Sequence, residues 1–410
     1  MVREIIIRHA RQASQWSAIA LGASIPVSTA LDNFLIALTL AAWAFSGQVR
    51  ATARITLINP VALLSVSLYL LLMIGIVYGD ASRQEALSCL SKYADLLCIP
   101  VLIMIFRMEG IRARALYALA FSLVGIIILS YLIRFGLLPK LPFISGTVSS
   151  PTVLKLKLTH NLLVAFGAVL FLWLGYTSHN PRMRIFWYGF ALLAVINVIF
   201  MVQGATGYLV LVALSLFAVW KYLGKRETVG TMLVISAVLV IGISIPSAFH
   251  ERLNKIKMEL QDWRADDKST TSTGLRLEFY QNSLAIAARH PLTGVGTGGF
   301  PRAYAAQVAG TGKAETHNPH NEFLHLAVQV GVLGAILLVA LFVFQWRLAA
   351  RLPTPMYRGL ARGLIITMVI GCMLNSFLLD HTEGLFYAWL TGLLYGGLQY
   401  DPHDKSSAPT

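Results

Sequence analysis

Apolar stretches long enough to cross a lipid bilayer follow one another along almost the whole chain. A membrane-spanning helix needs about twenty mainly apolar residues. In lipid, backbone polar groups must be satisfied within the structure, which helices achieve within a single segment. The chain is therefore predicted to be an all-α, polytopic membrane helical bundle with about 12 transmembrane helices. The candidate spans are 14–30, 31–47, 59–78, 87–106, 115–136, 159–176, 185–202, 205–221, 229–248, 320–346, 363–380 and 384–400.

Composition points to the same class. The chain is 56% hydrophobic and 13% charged, with a mean hydropathy of +0.67, whereas ordinary soluble domains are about 25% charged. The first span is too long, and too poor in small residues at a cleavage site, to be a removable signal peptide. Cys89, Cys98 and Cys372 all lie in predicted spans, so neither a disulfide framework nor a cysteine metal site is indicated.

Lysine and arginine are concentrated in alternate connections between the predicted spans. If the N-terminus is cytoplasmic, the inner connections hold most of them, and the short outer ones hold chiefly Arg83 and Lys140. This distribution follows the positive-inside rule, so both termini are predicted to lie inside and the loop 249–319 outside. Much of the net charge of +14 is then a topology signal, and it does not indicate nucleic-acid binding.

Four segments follow from this topology. Two groups of spans are separated by one large loop, and a short polar tail follows the last span. The segments are 1–248 with helices 1–9, 249–319 as a periplasmic loop carrying part of an active site, 320–400 with helices 10–12, and 401–410 as a cytoplasmic tail.

The loop has a helical pattern of its own. Residues 249–264 alternate charged and apolar side chains at helical spacing, which predicts an amphipathic helix near the lipid headgroups. A second helix is predicted from Leu275 to Arg289, and Pro291 ends it. Glycines then predict a flexible turn, but no buried strand precedes them, which excludes a nucleotide-binding loop. The second helix's apolar face is Leu277, Tyr280, Leu284 and Ile286, and the glycines are Gly294, Gly296, Gly298 and Gly299.

A polar cluster lies where this loop meets the next span. His317, Asn318, His320 and Asn321 precede a long apolar stretch, which suggests chemistry at the bilayer surface. Asn318 and Pro319 also form a natural helix N-cap and first-turn pair, so the segment would look the same without a function. A metal site on the two histidines is disfavoured, because no carboxylate pair or cysteine lies nearby.

Several motifs, taken in order, resemble the bacterial O-antigen ligase and polymerase superfamily. They are Gly274-Leu275-Arg276-Leu277-Glu278-Phe279-Tyr280, then Arg289 to Phe300, then His320-Asn321-Glu322-Phe323-Leu324 with Gly331 and Gly334, together with Lys92-Tyr93 ahead of Leu96, Leu97 and Pro100. The resemblance implies a metal-independent glycosyltransferase of the bacterial inner membrane that needs no cofactor. Such enzymes take polysaccharide from undecaprenyl diphosphate, and the ligases attach it to lipid A–core at the periplasmic face.

The chemistry assigns roles to these residues. A leaving diphosphate gathers negative charge, for which the planar fork of Arg276 is the first choice and Lys92 the second. An acceptor hydroxyl needs a general base, for which His320 is the candidate, and a position just inside a helix start would keep it neutral. Alternatively, His320 hydrogen-bonds a phosphate and Arg276 dominates catalysis. Substrate binding is also assigned to His317, Asn321 and Asp380.

Each assignment has a structural alternative. Arg276 could be an ordinary surface arginine. Lys92 could extend toward the headgroups. Asp380, with His381 and Glu383, could simply cap a helix.

One turn departs from the resemblance. Residues 203–209 resemble a family turn that carries arginine before Thr-Gly, but Ala205 stands at that place. Either another cation substitutes, with Arg134, Lys155 and Lys157 as candidates, or part of a phosphate clamp has been lost.

Three functions remain open. An O-antigen ligase comes first, and a polymerase or protein-directed oligosaccharyltransferase of the same superfamily comes second. A transporter or structural protein comes third, because transporters keep polar sites near the membrane midplane, whereas here the polar residues collect at the surface.

Overall fold

The computed structural model describes residues 2–138, 144, 146–222, 244, 248–265 and 271–398. Within these residues the chain is helical and forms no β-strand. The helices are α1 (Val2–Ser24), α2 (Thr29–Phe45), α3 (Val49–Ile58), α4 (Pro60–Tyr78), α5 (Arg83–Lys92), α6 (Asp95–Ile105), α7 (Glu109–Arg134), α8 (Lys157–Thr177), α9 (Pro181–Ile196), α10 (Ala205–Tyr222), α11 (Ala248–Ala265), α12 (Ser272–Arg289), α13 (Phe300–Val308), α14 (Glu322–Ala349), α15 (Pro355–Leu374) and α16 (His381–Tyr395).

The predicted all-α membrane bundle is confirmed. Seven helices in the described residues are long and apolar enough to cross a membrane, and the pair α2–α3, bent by 104°, makes a possible eighth. α1 and α16 overlap predicted spans, but α1 is more polar than these seven helices and α16 is shorter. The described apolar part of α10 is also short. Most of the predicted span 229–248 and the tail 401–410 lie outside the described residues.

α16 lies in the interior of the bundle. Every residue from Thr382 to Tyr395 is buried. A Cβ at Gly392 would lie 2.3 Å from the Leu102 Cβ on α6, so only glycine lets these two helices approach so closely. The Trp389 indole N–H donates to the Ala18 carbonyl at 2.8 Å. Close approach of this kind is how helices associate in lipid, where the hydrophobic effect contributes little between them.

α14 is kinked, and the glycine-rich turn packs into the kink. At Gly331 the backbone has φ +73°, so two carbonyls of the preceding turn lose their helical partners. The N–H groups of Val295 and Gly296 donate to the carbonyls of Val328 and Gln329 at 2.8 Å, and Val332 N–H donates to the Pro291 carbonyl at 2.8 Å. The prediction of a flexible turn is therefore wrong, because its backbone is fixed by the backbone of a membrane helix.

α9 ends in a π-helix, Asn197–Met201. The Asn197 amide donates to Ser130 Oγ at 2.7 Å, and its oxygen lies 3.0 Å from His160 Nε2, so the polar groups of this break are satisfied inside the bundle. The turn 203–208 follows; it consists of Gln203, Gly204 and the first turn of α10. A Cβ at Gly204 or Gly207 would lie 2.5 Å from the Asn161 side chain. Asn161 thus supports the turn directly.

Candidate functional site

His320 lies just outside a helix. Its backbone is left-handed, with φ +55°, and α14 begins two residues later, at Glu322. Asn321 is the N-cap, because its side chain accepts a hydrogen bond from Leu324 N–H at 3.0 Å. The sequence prediction that Asn318 and Pro319 form the cap and that His320 lies inside the helix is therefore wrong. Asn318 instead accepts from the backbone N–H of His320 at 2.8 Å and from Ser376 Oγ at 2.7 Å, and these contacts stabilise the strained turn.

α12 holds the other side of this turn. The Tyr280 hydroxyl lies 3.0 Å from the His320 carbonyl and 3.1 Å from the Met373 carbonyl. The Asn321 amide also donates to the Met373 carbonyl, at 3.0 Å. The ring of Phe279 stacks beside the His320 imidazole, with centroids 6.2 Å apart. α12, the His320 turn and the end of α15 therefore form one unit.

The buried face of α12 differs from the predicted one. Leu284 is 56% exposed, and Leu277 is half-buried. The residues that α12 buries are Gly274, Glu278, Phe279, Ser283 and Ile286. Apolar content alone predicted this face only in part: Ile286 is buried as predicted, but a polar Ser283 and a charged Glu278 are also turned inward.

Burial, one positive group and one amide determine the protonation state of His320. Burial lowers the pKa of His320 first, the charge of Arg276 lowers it further, and a hydrogen bond to Asn375 opposes both. Burial also lowers the pKa of Arg276 and raises that of Tyr280. The imidazole is thus neutral near pH 7. A ring N–H donated to Asn375 leaves the second ring nitrogen able to accept a proton.

Asn375 is a site residue that the sequence did not reveal. It is buried, it hydrogen-bonds His320, and its amide nitrogen has no acceptor among the described residues. A buried donor without an acceptor is costly. Next to His320, such a donor suits the binding of a substrate oxygen.

Glu322 links the start of α14 to Tyr93 and to the segment that leads to Asp380. Its carboxylate accepts from the Tyr93 hydroxyl at 2.6 Å and from Leu378 N–H at 2.9 Å. Lys92 and Asp380 flank these contacts along the chain, and the charge of Lys92 acts on Asp380. Lys92 ends α5 at a break in the span, whereas the sequence placed it within a continuous helix. Both Lys92 and Asp380 are exposed.

The structure thus collects Arg276, His320, Asn321, Lys92 and Asp380 around the start of α14. We call this end of the bundle the loop face. His317 has an exposed side chain three residues before His320. Among the described residues, no group of three or more histidine, cysteine, aspartate or glutamate side chains is placed to hold a metal ion.

A separate buried polar network lies between α2, α8 and α16. Lys155 Nζ is 3.3 Å from the Asp32 carboxylate and donates to Thr29 and Thr382 hydroxyls. The Thr159 hydroxyl donates to the Glu383 carboxylate at 2.5 Å. Lys155 was a candidate substitute cation, but it is only 8% exposed, and its ammonium is used inside the protein.

Residues 190–339 match the sequence model of the family described as O-antigen ligase. The matched region contains the turn 203–208, α11 to α13, the His320 turn and the kink of α14. No curated protein sequence matches the chain significantly.

Proposed function

We propose that this chain is an O-antigen ligase, and the match of residues 190–339 to the family described as O-antigen ligase supports this proposal. In this proposal it transfers O-antigen polysaccharide from undecaprenyl diphosphate to a hydroxyl of lipid A–core. The observation that carries the proposal is the neutral, half-buried His320 held beside the Arg276 guanidinium. The His320 imidazole is suited to take a proton, and the Arg276 guanidinium is suited to stabilise a leaving diphosphate.

The reaction forms one C–O bond, breaks another and moves one proton. The acceptor hydroxyl oxygen attacks the anomeric carbon of the donor sugar, and the bond from that carbon to the diphosphate oxygen breaks. The hydroxyl proton passes to the free ring nitrogen of His320, and the bonding electrons leave with undecaprenyl diphosphate. No nucleotide is needed, because the diphosphate linkage already activates the sugar.

The remaining site residues would bind the two substrates. Arg276 would donate its fork to the diphosphate, and exposed Lys92 would add a second positive charge. The free Asn375 amide would donate to a substrate oxygen, while Asn321 and Asp380 would line the acceptor side. His317, at the edge, would contact substrate without taking part in proton transfer.

We place the loop face in the periplasm. The support is the concentration of lysine and arginine in the connections at the opposite end of the bundle, such as 107–114 and 347–362, as the positive-inside rule expects of cytoplasmic connections. The protein would then lie in the bacterial inner membrane with both termini in the cytoplasm. Lipid-linked donor and lipid A–core would reach the site laterally, from the surrounding membrane lipids.

A second candidate uses the same donor with a different acceptor. A polymerase would add the chain to another repeat unit, and a protein oligosaccharyltransferase would add it to a side chain. Deletion separates the first two, because loss of a ligase leaves finished polymer on the lipid carrier, whereas loss of a polymerase leaves single repeat units on the core. Purified protein, lipid-linked glycan and lipid A–core then test transfer directly, and failure to transfer to lipid A–core would contradict the proposal.

A further inference from the structure

A second arginine lies close to Arg276, on α11. The first turn of α11 packs on the turn 203–208, where the Gln203 amide donates to the Glu251 carboxylate. The next residue, Arg252, has a side chain that is 16% exposed. Its charge acts on Tyr208 of α10 and on Arg276 of α12. Three elements therefore bring two guanidinium groups to one part of the loop face.

Nearby carboxylates balance only part of the positive charge of Arg252 and Arg276. Glu259 lies 3.9 Å from Arg252 Nη1 and 4.0 Å from Lys255 Nζ, and it also accepts from the Thr273 hydroxyl and N–H. A separation of 3.9 Å is too long for a hydrogen bond, so this carboxylate does not use the donors of Arg252. Among these described residues, three cations (Arg252, Lys255 and Arg276) face two carboxylates (Glu251 and Glu259), so net positive charge remains beside Arg276.

Two of the three cations expected to substitute here are used elsewhere. Arg134 donates to the Val148 carbonyl at 2.7 Å, and Lys155 is buried against Asp32. Ala205 itself provides no charge in the turn. Arg252 is the described cation that lies next to both this turn and Arg276.

We propose that Arg252 binds the diphosphate of the lipid-linked donor together with Arg276. This inference rests on the proposed function and adds a binding residue to it. Two guanidinium groups can each take one phosphate of a diphosphate through paired N–H donors. The pair therefore favours a diphosphate over a monophosphate, since a monophosphate can satisfy only one of them.

The test uses the full chain in lipid nanodiscs, with farnesyl diphosphate and farnesyl monophosphate as probes. Arg252→Gln should weaken diphosphate binding about 10- to 100-fold, because charge-assisted hydrogen bonds are lost, and should change monophosphate binding much less. Lys255→Gln is the matched control: it removes the same charge one turn along α11, from a side chain 61% exposed that also faces Glu259. It should leave both affinities unchanged.

A rescue variant separates binding from structure. Adding Ala205→Arg to Arg252→Gln should restore much of the diphosphate affinity, because it returns a cation to the neighbouring turn, and a merely structural role for Arg252 could not be restored in this way. If Arg252→Gln does not fold, Arg252→Lys replaces it and should keep monophosphate binding while losing diphosphate preference.

Three results would overturn the inference. If the wild type binds farnesyl diphosphate and Arg252→Gln binds it equally well, Arg252 is not a ligand, and the proposed function stands. Equal weakening of both probes without rescue by Ala205→Arg would likewise assign Arg252 a structural role. A wild type that binds neither probe and transfers no glycan would overturn the proposed function as well.

Discussion

His320 combines a strained backbone with a neutral side chain. The left-handed conformation, held by Asn318, directs the imidazole toward Arg276 and Asn375, which supports a role in chemistry more than in packing. His320→Ala should lower glycan transfer about 10²- to 10⁴-fold, as loss of a general base does, and should leave folding intact. Transfer is measured with purified protein, lipid-linked glycan and lipid A–core, and His317→Ala serves as the milder control. Near-normal transfer by His320→Ala would end the general-base role.

The pH dependence of transfer follows from the lowered pKa of His320. Burial and the charge of Arg276 move the pKa below the ordinary 6.5, and a base works in its neutral form. The rate should therefore stay level as pH falls through 6.5 and decline only at lower pH. Arg276→Gln removes one of the two causes, so the acid limb of its residual activity should move to higher pH. If the acid limb of the pH profile does not move in Arg276→Gln, a group other than His320 causes the loss of activity at low pH.

Among the helices, the start of α14 depends on one carboxylate. Glu322 joins Tyr93, at the break between α5 and α6, to the backbone that leads to Asp380. Glu322→Leu should lose most transfer and lower the melting temperature, because each buried donor left unpaired costs about 1–3 kcal/mol. Glu322→Gln should keep most activity, since its amide can accept from Leu378 N–H and donate to the Tyr93 oxygen. If Glu322→Gln melts normally but is as inactive as His320→Ala, the carboxylate itself takes part in the chemistry.

The breaks in the helices show where sequence reasoning reaches its limit. Apolar runs are local, so the spans could be predicted, and the order of the motifs drew attention to Arg276 and His320, which the structure brings close together. The kink at Gly331 could not be predicted, because it depends on hydrogen bonds from Val295 and Gly296, which lie about thirty residues earlier in the chain. Asn375 and Glu322 likewise gain their roles from contacts between distant segments.

For the whole molecule, the positive-inside distribution predicts which side of the membrane each end of the bundle faces. This is tested in a variant without native cysteines, with Cys89, Cys98 and Cys372 replaced by alanine. Glu315→Cys and Glu109→Cys make a matched pair, because both side chains are exposed and the substitution is the same. Glu315 lies in the loop before His320, and Glu109 opens α7 in a basic connection.

In intact spheroplasts, an impermeant thiol reagent should label Cys at 315 and leave Cys at 109 unlabelled until the membrane is broken. The physical reason is that lysine and arginine near the ends of spans are retained on the cytoplasmic side during insertion. Glu322 and Tyr280 fix the proposed site, from Lys92 to Asp380, to the loop face, so the side of residue 315 is also the side on which the proposed transfer would occur. Labelling in the reverse order would place the site in the cytoplasm, where it could not complete lipopolysaccharide at the periplasmic surface.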